Sequence, residues 1–88
     1  SAPRLSQADR NGMNPEEAFV LVDGCIPTSG DVYTVNGLPG ATVRFDVSQQ
    51  RFVIGNITTP RRVDVSITAT DSNNVSRTSN TITIPSIL

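Results

Sequence analysis

Of the side chains that move protons or hold metals near neutral pH, this sequence carries carboxylates and one cysteine, and no histidine. Losing histidine removes the commonest general base and the commonest transition-metal ligand. Glu16 and Glu17 are adjacent, while Asp23, Asp31, Asp46, Asp64 and Asp71 are scattered. Glycoside hydrolysis needs two carboxylates about 5–10 Å apart across a cleft. Only Asp46 and Asp64 are candidates, and only if their strands share a sheet; solvated surface acids are the plainer reading. Asp71 opens the turn Asp71-Ser72-Asn73-Asn74, a conceivable calcium loop. Calcium takes about six to eight oxygen ligands, and the turn lacks the spacing of acids that would supply them. The sequence therefore predicts no catalytic residue, no metal ligand and no bound cofactor.

Three further features have a bland and a sharp reading. Cys25 follows the apolar run FVLV and has no histidine or basic pair beside it. It reads as a small buried hydrophobe rather than a reactive thiol or an intermolecular bridge. Arg61-Arg62, with Arg44, Arg51 and Arg77, supplies flat, bidentate donors. Without interleaved aromatics and with a net charge of −1, they read as charge dressing of strand edges, not a nucleic-acid platform. Asn56-Ile57-Thr58 and Asn74-Val75-Ser76 match the glycosylation acceptor pattern, as chance permits in a chain rich in Asn, Ser and Thr.

The elements that position these residues are strands. Apolar β-formers come in six short runs separated by turn residues: AFVLV (18–22), DVYTV (31–35), ATVRFDV (41–47), RFVIGNI (51–57), RRVDVSITATD (61–71) and VSRTSNTITI (75–84). Ala41, Val43, Phe45 and Val47 alternate with Thr42, Arg44 and Asp46. Val63, Val65, Ile67 and Ala69 alternate with Asp64, Ser66, Thr68 and Thr70. Period two with one wet face is the mark of antiparallel sheet. Six such strands bury their apolar faces best as two sheets packed together; a closed barrel of the OB type is the alternative. Residues 1–17 are polar and without period, which predicts a linker or extended arm, with at most one helical turn at Pro15-Glu16-Glu17 and with Leu5 or Met13 docking on a sheet edge. Residues 18–88 form the domain. No run approaches the ~20 apolar residues of a membrane span. A start at Ser1 without Met or signal pattern fits a processed chain or an excised domain.

Pro39, Gly40, Ala41, Thr42 and Val43, followed by Ala69, Thr70, Asp71, Asn74, Val75 and Ser76, resemble the two motifs of bacterial immunoglobulin-like domains. In that family a Pro-Gly turn opens one core strand and an Asp-initiated turn joins the last two. Asn73 stands where the family usually has glycine. The resemblance implies an immunoglobulin-like Greek-key β-sandwich of about six to seven antiparallel strands. It further implies a non-enzymatic structural or adhesive module, a rigid spacer or binding unit of a larger bacterial cell-surface or secreted protein. Alternatives on the same resemblance are a structural or decoration domain of a phage virion and an accessory domain of a secreted glycoside hydrolase. The expected partners are neighbouring domains or a protein or glycan surface, with no nucleic acid and no membrane insertion, and the isolated domain is expected to be a monomer. An ordered arm at 1–17 gripping a neighbour would favour the virion; a loose tether would favour the spacer.

Overall fold

The computed structural model describes residues 2–24, 27 and 30–88; Cys25, and with it the expectation of its burial, lies outside them. Among the described residues there are eight strands and no helix: β1 (Leu5–Asn11), β2 (Asn14–Val22), β3 (Val32–Asn36), β4 (Thr42–Asp46), β5 (Arg51–Gly55), β6 (Val63–Thr70), β7 (Ser76–Thr78) and β8 (Ile82–Ile84). One sheet runs β1-β2-β5-β4. The other runs β3-β6-β7, with β8 paired to the remaining length of β6. All pairings are antiparallel.

The two sheets share one core. Ala18, Val20, Phe52 and Ile54 come from the first sheet; Val65, Ile67 and Ile84 come from the second. These are the positions that period two turns inward. Phe52 is fully buried. Tyr33 of the opposite sheet meets its ring edge-on at 5.0 Å, and Phe45 of its own sheet does so at 5.1 Å. Edge-to-face rings add attraction beyond the area they bury.

The crossover from β3 to β4 explains the Pro-Gly motif. Ala41 N–H donates to the Leu38 carbonyl at 3.1 Å, closing a turn over Pro39-Gly40 in which Gly40 has φ +84°. Proline then glycine is the pairing such a turn favours, with glycine taking the positive φ. The turn drives Leu38 into the core, where it is 8 % exposed.

Three expectations change. Residues 5–17, expected to lie in an arm at 1–17, are in the sheet: β1 and β2 form a hairpin around Gly12-Met13, and β2 continues through Pro15-Glu16-Glu17 with no helical turn. The strand escaped the period-two pattern because a bulge between Leu5 and Gln7 puts its inward residues, Leu5 and Ala8, three apart. Leu5 is buried, whereas Met13 at the turn is 96 % exposed. Val47 is 76 % exposed, since β4 stops at Asp46 and the chain turns there. The last run is two strands, not one: the register on β6 slips by a residue between β7 and β8.

Candidate functional site

That slip is built by Ser79. Its N–H donates to the Ile67 carbonyl at 2.8 Å, and its hydroxyl, rather than its carbonyl, accepts the Ile67 N–H at 2.8 Å. The hydroxyl also donates to Asn80 O at 2.8 Å, so this buried serine is fully used. The bulge points Asn80 at β1. There its carboxamide accepts from Leu5 N–H at 2.8 Å and donates to Leu5 O at 2.9 Å. Farther along, Arg10 of β1 reaches four main-chain carbonyls: Pro85 through Nε (2.9 Å), Pro15 through Nη1 (2.9 Å), and Thr59 (2.8 Å) and Arg61 (2.9 Å) through Nη2. Asn80 at the start of β1 and Pro85 at its end fix β1 and β8 side by side, running the same way. Sequence reasoning passed over Arg10 because β1 shows no periodic signal.

A recess of about 230 Å³ opens beside Arg10, between Pro15, Ile57, Pro60 and Ile87. Ile57 lies buried in its wall. The recess gathers apolar surface, one guanidinium already committed to carbonyls and a single carboxylate, that of Glu16, with no second acid beside it in the lining.

The outward face of the second sheet carries the Thr, Ser and Asn side chains that alternation assigned to solvent. They bond to one another. Thr68 and Thr78 hydroxyls lie 2.9 Å apart, Thr70 and Ser76 2.8 Å apart. Asn36 Nδ2 donates to Ser66 at 3.1 Å and Thr68 at 3.0 Å, and Thr83 donates to Asp64 at 2.6 Å. These cross-strand pairs stabilise the sheet; much of the hydrogen-bonding capacity a flat ligand would need is spent within the face.

The outward face of the first sheet differs. Phe19 and Leu21 of β2, Arg51 and Val53 of β5, and Arg44 and Asp46 of β4 share it, since their neighbours in each strand point to the core. The Arg51 guanidinium lies 3.7 Å from the centre of the Phe19 ring, a cation–π contact. Its Nε is buried without a hydrogen-bond partner.

The candidate acids are not brought together. Asp46 ends β4 in one sheet and Asp64 lies on β6 in the other. Asp46 Oδ1 accepts from Ser48 Oγ (2.7 Å), Ser48 N–H (3.1 Å) and Gln49 N–H (3.3 Å). The Ser48 hydroxyl above all, with those amides and Arg44, holds its carboxyl below the usual aspartate range. Asp71 Oδ1 accepts from Asn73 and Val75 N–H, each at 2.9 Å, and so closes its own turn. The left-handed residue of that turn is Asn74, at φ +65°. Asn73 therefore needs no glycine-like backbone. Among the described residues no three acidic, histidine or cysteine side chains gather where they could hold a metal ion. Arg61 and Arg62 are both exposed. Asn56 is exposed, and its Nδ2 donates to Gly40 O at 2.9 Å. Tyr33 has a pKa raised by burial and then by the nearby Asp31 charge.

Comparison with known proteins returned no matching family model, no matching curated protein and no matching solved structure.

Proposed function

We propose that this chain is a non-enzymatic immunoglobulin-like module, a rigid spacer or binding unit of a larger bacterial cell-surface or secreted protein. The strand order supports the fold. With β7 and β8 counted as one bulged strand, β1-β2-β5-β4 against β3-β6-β7 is the order of a seven-strand immunoglobulin-type sandwich. The observation that carries the function is the placement of β1 and β8. They lie side by side in the same direction, held by Asn80 at one end and Arg10 at the other. The chain thus enters at the Leu5 end and leaves at the Pro85 end of a body whose longest extent is 40 Å. Modules with opposed ends add length when strung in series.

A gripping strap at residues 1–17 would have favoured the virion reading and a loose tether the spacer. Residues 5–17 are instead committed to their own sheet, so this segment favours neither. The accessory-domain reading has no observation in its favour.

Small-angle scattering on two copies joined tail to head tests the proposal. The expected maximum dimension is close to twice that of one module. A tandem that folds back to the length of a single module would overturn the spacer reading.

A further inference from the structure

The outward face of the first sheet is a grid whose rows follow from the strand register. Asp9 pairs with Phe19, Phe19 with Val53, and Val53 with Arg44. These four residues therefore form one row across all four strands: acid, aromatic, aliphatic, base. The row is antisymmetric in charge about its apolar middle. We infer that this face pairs with the same face of a second copy, about a two-fold axis parallel to the strands.

Such an axis lays β1 of one copy over β4 of the other. Asp9 then meets Arg44 of the second copy and Arg44 meets its Asp9, while the half-buried Phe19 lies over the second copy's Val53, whose side chain is only 4 % exposed, so the charged ends of the row rather than its middle supply the contact. The contact is isologous, so it closes at two copies. In the next row Gln7 pairs with Leu21, Leu21 with Arg51 and Arg51 with Asp46. The same axis sets the Gln7 amide, one N–H of which already holds Asp9 Oδ2 at 2.7 Å, over Asp46 of the second copy, a donor over an acceptor. Leu21, 41 % exposed, gains cover. Arg51, stacked on Phe19, keeps its charge in the seam, where aromatic and arginine side chains are enriched at interfaces. The outward face of the second sheet spends its hydroxyls and amides in cross-strand pairs and, among the described residues, carries no row with opposite charges at its two ends.

Size decides the strength. Four strands about 4.8 Å apart and about five residues long at ~3.4 Å each present on the order of 300 Å² in projection. A standard interface buries roughly 800 Å² per partner, so this pairing is weak and salt-sensitive. A dilute single domain stays monomeric. Copies fixed side by side on one surface face millimolar effective concentrations, and there the contact forms. That lateral role rests on the surface-module proposal; the pairing itself does not.

The test uses the whole chain in amide nitrogen–proton correlation spectra, diluted from millimolar to micromolar. Shifts that move with concentration are expected on Phe19, Val53 and their row neighbours, shrinking as salt rises. Asp9→Arg alone and Arg44→Asp alone should each abolish them. An equimolar mixture of those two variants should restore them, since each contact then joins opposite charges; well-dispersed spectra show that each variant folds. Absence of shifts at millimolar concentration, shifts mapping to β3 and β6, or a mixture no better than either variant would overturn the pairing. None of these outcomes alters the length of a tandem, so a failed pairing and a failed spacer are told apart.

Discussion

The Asn80 carboxamide holds both main-chain groups of Leu5, accepting its N–H at 2.8 Å and donating to its carbonyl at 2.9 Å. A side chain thus does for the edge of one sheet what a strand would otherwise do, across a gap of 75 residues. Asn80→Ala removes both bonds and should cost about 1–2 kcal/mol in chemical denaturation. Asn80→Asp keeps the acceptor but sets a second acceptor against the Leu5 carbonyl, and should be no better than alanine. Hydrogen exchange should quicken at the Leu5 amide in Asn80→Ala; unchanged exchange there would show that β1 is held by packing alone.

Arg10 works at the other end of the same seam. Its guanidinium serves four carbonyls from three segments, a task suited to a planar fork and not to a point charge. Arg10→Ala should destabilise by about 2–3 kcal/mol. Arg10→Lys keeps the charge but should recover at most roughly half of that loss. Lysine matching arginine in denaturation midpoint would show that charge near the carbonyls suffices.

Much of the fold was legible because the core strands β4 and β6 alternate cleanly, and turn chemistry marks their ends. What escaped did so for local reasons. β1 carries two inward residues, and its bulge takes them off period two. The Ser79 bulge keeps Ile82 and Ile84 in phase with the core while breaking the strand before them. Arg10 and Asn80 look like surface polar residues in sequence, since their partners are main-chain groups brought near only by tertiary packing. The Asp9–Phe19–Val53–Arg44 row needs the register of three strand pairs, which no single segment encodes.

Gly37 and Gly40 both have left-handed backbones, at φ +100° and +84°, yet their surroundings differ. A Cβ on Gly40 meets open space, whereas one on Gly37 would lie 2.5 Å from the Asp64 carbonyl oxygen. Gly40→Ala should cost only the backbone penalty, roughly 1–2 kcal/mol. Gly37→Ala adds a collision with the main chain of β6 and should cost about 2–5 kcal/mol. Equal midpoints in denaturant would mean that β3 and β6 separate freely at that end.

Tyr33 is the only tyrosine, so alkaline titration of phenolate absorbance reads one group. Burial, with the Asp31 charge adding to it, raises its pKa. A raised folded value means the neutral phenol is favoured by the fold. Its contribution is complete below the unfolded pKa and is lost as pH rises through the folded one. The native midpoint should therefore lie above that measured in denaturant, and stability should fall as the phenol ionises. Coincident midpoints would place the Tyr33 hydroxyl in bulk water and weaken its role against Phe52.

Ile67 and Thr68 are neighbours on β6 that face opposite ways. Ile67 is fully buried in the shared core. Thr68 is half-buried on the outer face, its hydroxyl 2.9 Å from that of Thr78 and accepting from Asn36 at 3.0 Å. Ile67→Ala should destabilise by roughly 2–5 kcal/mol through lost burial and the cavity left between the sheets. Thr68→Ala breaks bonds that water can replace and should cost under about 1 kcal/mol. Because a one-residue slip turns every side chain of a strand to the other face, the order of the two effects reads the register of β6 directly. A larger loss for Thr68→Ala would mean that the polar face, not the apolar one, is the side β6 buries.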